Sequence, residues 1–191
     1  MQLQQSHVVR LETRPPNIEG AGAISQRDLV INALRMRPDR IIIGECRGAE
    51  AFDMMQAMNT GHDGSMTTVH ANSAFEAFSR LETMVMMASQ HVPDHVIRQM
   101  LAAAVNVVVH MNRLGDGSRK ITSICEVRET DGLTTDIREI FALDREGVSQ
   151  SGKVRGRFRA TGEIPHVMHR LKAWGIHLSS SIFSEQQVLK S

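Results

Sequence analysis

RPDRIIIGECRGAEAFDMMQAMNTGHDGSMTTVHANS, residues 37–73, decides the reading of this chain. Ile41, Ile42 and Ile43 form a short apolar run that passes through Gly44 into Glu45. A buried strand has no packing reason to end in an acid. A helical stretch follows from Ala49 to Asn59, then a Gly- and Asp-bearing turn. A second short run from Met66 to Val69 delivers His70 at its end. Two neighbouring strands that each end in an ionisable group are how an open α/β sheet builds a site, because ligands sit outside the carboxyl ends of the strands. Glu45 and His70 are therefore the first candidate site residues.

Composition bounds what such a site serves. The chain has 191 residues, 41% of them hydrophobic, enough for one domain with a real core. Its 22 basic and 21 acidic residues nearly cancel, so no global field favours nucleic acid. Aromatics make up 4%, with one Trp and no Tyr, which argues against a stacking platform for single strands. Cys46 and Cys125 fit no metal or redox spacing, and a reducing compartment is the simpler expectation. The longest apolar run, near Leu101–Val109, is interrupted by Asn106 and is too short to span a bilayer.

Outward from the central stretch, His7–Thr13 alternates and predicts a strand, followed by a loop of paired prolines and glycines. Ser25 with Asp28 predicts a helix start, and Pro38 a stop. The Met stripe Met54, Met55 and Met58 reads as core. Asn72 or Ser73 caps a helix over Ala74–Ala88, and another helix opens at Pro93. Strands are expected near Val105–Met111 and Lys120–Val127, and a hairpin from Asp136–Leu143 with Lys153–Arg159. A last helix covers Ile164–Trp174, and a weakly ordered tail occupies 176–191. The class is α/β, with antiparallel strands and a short helical tail late in the chain.

Each candidate has a plainer alternative. Glu45 either orients water or metal beside a phosphate, or pairs with Arg47 or Arg40 at a solvent-facing strand end. His70 either faces the ligand or caps the next helix. Arg10, Arg14, Arg35, Arg37, Arg40 and Arg47 could neutralise phosphate, or pair with Glu12, Glu19, Asp28 and Asp39. Lys153, Arg155, Arg157 and Arg159 alternate, which puts one row of charge on one strand face. His91 and His95 straddle Pro93, which breaks the spacing of a two-histidine zinc site, and His166 with His169 lacks a carboxylate partner beyond Glu163. GVSQSGKV (147–154) has P-loop spacing, but it ends in Val154 without a hydroxyl for magnesium and lies between two strands. It predicts a hairpin turn.

Beyond these local readings, RLETRPPNIEG (Arg10–Gly20), residues 27–73, SRLETMVMMA (Ser79–Ala88), SRKITSICEV (Ser118–Val127) and GKVRGRF (Gly152–Phe158) resemble the secretion ATPases of the type II/type IV superfamily, most of all the CpaF/TadA motors of Tad (Flp) pili. RIIIGE (Arg40–Glu45) is similar to that family's atypical Walker B, which implies Glu45 as the catalytic acid. GHDGSMTTVHANS (Gly61–Ser73) is similar to its His box, which implies His62 and His70 as phosphate-side residues. Arg14, Arg35 and Arg47 are the arginines to weigh for nucleotide contact. The resemblance further implies a RecA-like P-loop NTPase core (its C-terminal part) over residues 1–175, ATP with Mg2+, and a hexamer. It also implies a cytoplasmic location peripheral to the inner membrane, docking on platform proteins there, and no nucleic-acid partner.

The departure is as informative. No Gly-x-x-x-x-Gly-Lys-Ser/Thr occurs in these 191 residues. The chain is therefore expected to be a C-terminal portion that hydrolyses no ATP by itself and leaves apolar edges uncovered, the alternative being a non-enzymatic or dominant-negative assembly subunit.

Overall fold

The computed structural model describes residues 3–89, 91–128, 134–185 and 188–189. Helix α1 (Gln26–Arg35) begins at a capping box. The Ser25 hydroxyl accepts from the Asp28 amide, and the Asp28 carboxylate accepts from the Ser25 amide at 2.8 Å. It ends before Arg37, whose backbone is left-handed (φ 53°), a conformation that lets the chain reverse ahead of Pro38. Strand β1 (Ile42–Ile43) follows, then α2 (Glu50–Asn59), β2 (Met66–Thr67), α3 (Ala74–Ala88) and α4 (Asp94–Ala104). Strands β1 and β2 are parallel, with Ile42 opposite Met66 and Ile43 opposite Thr67. Backbone bonds from Met66 to Ile41 (3.1 Å) and from Cys46 to Thr68 (2.9 Å) extend that pairing at both ends.

Four helices enclose this short pair. Met54, Met55, Ile97 and Leu101 are fully buried, and Phe78, Leu81, Val85 and Ile43 complete the cluster around them. The Met stripe is core, as its spacing indicates, because an unbranched thioether fills the irregular gap between α2 and α4. Helix α2 also carries two acids on its buried side. Glu50 accepts from the Arg47 and Gly48 amides at 2.6 and 3.0 Å, and Asp53 pairs with Arg27 at 2.7 Å. Both lie in the first turn, where the helix dipole favours negative charge.

The later half is antiparallel. Strands β3 (Val107–Arg113), β4 (Arg119–Arg128), β5 (Asp136–Val148), β6 (Val154–Ala160) and β7 (Val188–Leu189) form one sheet in sequence order. The P-loop-like spacing is indeed the β5–β6 turn, closed by the Ser149 amide on the Lys153 carbonyl at 2.8 Å. The alternating arginines of β6 form an ion-pair ladder, Arg157 with Glu146 and Arg159 with Asp144. Helix α5 (Val167–Ala173) is shorter than expected and is tied to β4 by Glu126, which accepts from the Val167 amide at 2.9 Å. Arg128 holds Glu126 at 3.0 Å and Glu163 at 2.5 Å, completing that tie. Within the tail, Ser180–Phe183 form a short 3-10 helix, and buried Phe183 packs against Phe141.

Two expectations need correcting or refining. Residues 7–13 form no strand. Among the described residues this segment has no ladder partner, the nearest pairing being a lone antiparallel bridge between Arg14 and Ile24, and alternation without a neighbour leaves Val9 and Leu11 exposed. The helix before β3 consumes residues through Ala104, so β3 begins two residues later than its apolar run. Uncovered apolar surface is present where alternation places it, as Val107, Val109 and Met111 project from one face of β3 beside Ile121 of β4.

The core assignment has a direct test. Phe78→Ala on α3 is expected to cost about 3–5 kcal/mol of unfolding free energy. Met87→Ala, on the exposed side of the same helix, should stay within about 0.5 kcal/mol of the parent. Chemical denaturation of the two variants measures both.

Candidate functional site

Parallel pairing puts the carboxyl ends of β1 and β2 side by side, so the residues leaving them meet. The Glu45 Oε1 lies 3.2 Å from His70 Nε2, and its Oε2 lies 2.6 Å from an Arg47 Nη2. The exit loops are held by their own bonds. The Thr68 hydroxyl donates to the Gly44 carbonyl at 2.6 Å, and the Gln26 amide to the Glu45 carbonyl at 2.6 Å. Ser73, not His70, caps α3, accepting from the Glu76 amide at 3.1 Å. His70 is thus left free of a capping duty and points at the acid.

Arg80 completes the cluster, and sequence reasoning missed it. It sits two turns into α3, and its Nη1 donates to the His70 carbonyl at 3.0 Å. Helical side chains lean toward the helix start, so a long residue in the second turn returns to the capping loop. That lean, combined with a site at the loop, was the available signal. A pocket of about 430 Å³ is lined by His70, Ala71, Asn72, Glu76 and Arg80. Asn72 is fixed in it by Glu76, which accepts from its side-chain amide at 2.8 Å.

The electrostatics follow from these contacts. The Arg47 guanidinium, by hydrogen bond first and charge second, holds the Glu45 carboxyl below the ordinary glutamate range, and His70 and Arg80 act in the same direction. Partial burial opposes them. Next to it, burial pushes the Cys46 thiol up to about 11, which leaves it protonated and unreactive at neutral pH. No group of three His, Cys, Asp or Glu side chains among the described residues could hold a metal ion. Both Glu45 oxygens are already engaged, so this chain's own donors do not fit a resident Mg2+.

The remaining sequence candidates lie elsewhere. His62 precedes β2 rather than following it, and its Nδ1 contacts the Ala57 carbonyl at 3.1 Å, at the end of α2. It therefore stands at the edge opposite Glu45. Arg14 binds the Gly22 carbonyl at 2.7 Å and stabilises its own loop, and Arg35 is exposed in the last turn of α1. Of the arginines weighed for nucleotide contact, Arg47 alone reaches Glu45, and it does so as an ion pair.

A family model described as "Type II/IV secretion system protein" matches residues 1–174. The chain belongs to that family. Rv3659c of Mycobacterium tuberculosis (strain ATCC 25618 / H37Rv), named for conjugal transfer, is 43% identical over 126 residues, 66% of this chain and 35% of that protein. The type IV secretion system protein PtlH of Bordetella pertussis is 39% identical over 114 residues, 58% of this chain and 33% of its own. Among solved structures, the VirB11 ATPase of the Brucella suis type IV secretion system, in complex with sulphate, shares 37% identity with a TM-score of 0.51. That match covers 54% of this chain and 32% of the VirB11 chain. The protein is a member of the type II/IV secretion ATPase superfamily with a RecA-like α/β fold, and it spans about a third of the length of the relatives it matches.

The Arg47 contact sets a titration. A carboxyl with a lowered folded-state pKa contributes stability at neutral pH and loses it as pH falls through that pKa. In Arg47→Gln the Glu45 carboxyl should titrate at higher pH, toward the ordinary value of 4.5. Carbon-13 NMR of the Glu45 side chain reads this directly; an unchanged midpoint would remove Arg47 as the dominant cause.

Proposed function

We propose that this chain carries the Walker B and His-box half of an ATPase centre that powers protein export or pilus assembly. The observation that carries the reading is the meeting of Glu45 and His70 at 3.2 Å across parallel strand ends. In this role Glu45 accepts the proton of the attacking water, and His70 faces the terminal phosphate it attacks. Arg80 holds the His70 carbonyl and adds positive charge beside developing phosphate charge. Arg47 leaves its ion pair when a phosphate competes for the guanidinium, and this returns proton affinity to Glu45. His62 is left out of this chemistry, because it stands at the other edge of the pair.

The phosphate cradle is a separate requirement. Neither P-loop amides nor a P-loop lysine and hydroxyl occur in these 191 residues, and the reading requires another segment to supply them. Bound ATP would bring Mg2+ on its phosphates, supplying charge neutralisation between them. The isolated chain is inactive in this reading. Similarity of residues 10–20, 27–73 and 79–88 to the CpaF/TadA branch supports assignment to a Tad (Flp) pilus motor, with residues 1–175 as the motor portion. A hexameric ring at the cytoplasmic side of the inner membrane, docked on platform proteins, is the matching assembly. No helix of the described residues is long and apolar enough to cross a membrane.

Hydrolysis is the test. The purified chain should release no phosphate from ATP above background. Fused behind the P-loop-bearing portion of a relative, it should hydrolyse ATP, and Glu45→Gln in that fusion should lower turnover by about 100-fold or more. Turnover by the isolated chain that depends on Glu45, or a fusion indifferent to Glu45→Gln, would overturn the reading.

A further inference from the structure

Glu45 owes its aim to the two peptide planes on either side of its Cα. Holding both planes fixes φ and ψ, and with them the direction in which the side chain leaves the backbone. The Gly44–Glu45 plane is held by the Thr68 hydroxyl, which donates to the Gly44 carbonyl at 2.6 Å. The Glu45–Cys46 plane is held at both of its polar groups. Its N–H, on Cys46, donates to the Thr68 carbonyl at 2.9 Å. Its carbonyl, on Glu45, accepts from Gln26 Nε2 at 2.6 Å. In a trans peptide these two groups point in opposite directions, so the plane is gripped from the exit of β2 on one side and from α1 on the other.

The two grips do different things. Thr68 lies two residues before His70, so its bonds keep acid and histidine in register. Its bond to the Cys46 N–H alone would leave the Glu45–Cys46 plane free to rock about that contact. Gln26 resists the rocking from a separate element, and its own position is secured twice. The Ser25–Asp28 capping box fixes the first turn of α1, and Arg27 pairs with Asp53 of α2 at 2.7 Å. A tilt at the Glu45 Cα is amplified at the carboxylate, three bonds further out. There Oε1 lies 3.2 Å from His70 Nε2 and Oε2 lies 2.6 Å from Arg47 Nη2, contacts that tolerate a few tenths of an ångström.

We propose that Gln26 is a positioning residue for Glu45: through the backbone carbonyl it holds, it keeps the carboxylate in reach of His70 and Arg47 together. The role rests on the reading of Glu45 as proton acceptor, and Gln26 itself touches no reacting atom. It requires an N–H donor at this length. Methionine has the length without the donor, and asparagine has the donor one methylene short.

Gln26→Met and Gln26→Asn are both uncharged, so a change at Glu45 reports geometry and not added charge. Carboxyl titrations are followed by carbon-13 NMR in the full chain. In either variant the Glu45 midpoint should rise toward 4.5, as the Arg47 hydrogen bond that lowers it loosens. Asp28 is the internal control. Ser25 lowers its carboxyl within the cap of the same helix, and its midpoint should not move. A parental Glu45 midpoint in both variants sinks the proposal. A rise matched at Asp28, or loss of folding in both variants, sinks it too, by making Gln26 a support of α1 rather than of the acid.

In the P-loop fusion, Gln26→Met should lower turnover about tenfold or more and leave KM for ATP within about twofold, because a misplaced acid acts on the chemical step. Unchanged turnover there counts against the role. A fusion that hydrolyses ATP but ignores Glu45→Gln is instead a failure of the ATPase reading, and the titration still decides whether Gln26 aims Glu45.

Discussion

Everything at the site depends on the parallel pairing of β1 with β2. Only two residue pairs define it, yet it aligns the strand exits so that Glu45 and His70 leave the sheet side by side. A two-stranded sheet is not stable by itself in water. This one survives because Ile41 and Ile43 are buried in the same cluster that joins α1, α2, α3 and α4. The geometry of the acid and the histidine is therefore inherited from the core. Cys46, directly after Glu45, is 1% exposed and receives the Thr67 hydroxyl at 3.3 Å, so the chain beside the acid is pinned on the inner side.

Charge is distributed with the same economy. Three acids follow β1 within ten residues, and two are already committed. Glu50 accepts loop amides at the start of α2, and Asp53 pairs with Arg27. Those contacts satisfy groups that would be costly to bury unpaired. Glu45 is the one that stays at the edge, with partners that are themselves exposed. Its ion pair with Arg47 is a surface interaction, easily exchanged for another anion. A buried pair could not be traded in that way, because removing one partner would strand the other charge.

Much of this was legible from residue order. An acid after three isoleucines and a histidine after the next strand converge whenever the two strands are parallel, and a helix between them makes that the default. Ser25–Asp28, Ser73 and the Met stripe carried local signals strong enough to be read correctly, and the P-loop-like spacing failed on Val154 and on its strand-to-strand setting. His62 is set apart from His70 by the path of the chain. It shares a motif with His70, but the residues between them cross the whole pair, so the two rings emerge at opposite ends. Arg80 was missed because its role arises from a side chain folding back along α3, which linear spacing does not display. The alternation of 7–13 is strand-like, yet a strand is a property of two segments, and local pattern reports only one.

The two sheets are not mechanically independent. On β3, the His110 Nδ1 contacts the Thr122 hydroxyl at 2.9 Å, and its Nε2 lies 3.4 Å from the Ala71 carbonyl, one residue beyond His70. The antiparallel sheet thus touches the loop that aims the site histidine. Hydrogen-bond geometry tolerates only a few tenths of an ångström before the contact is lost. A larger shift of β3 either breaks it or carries Ala71 along, and in the second case His70 moves relative to Glu45. The backbone at 70–71 is gripped from the other side by Arg80 of α3, so the position of His70 is set by two elements that belong to different layers. Glu45, by contrast, is anchored through β1, Thr68 and Gln26, all within the helical layer.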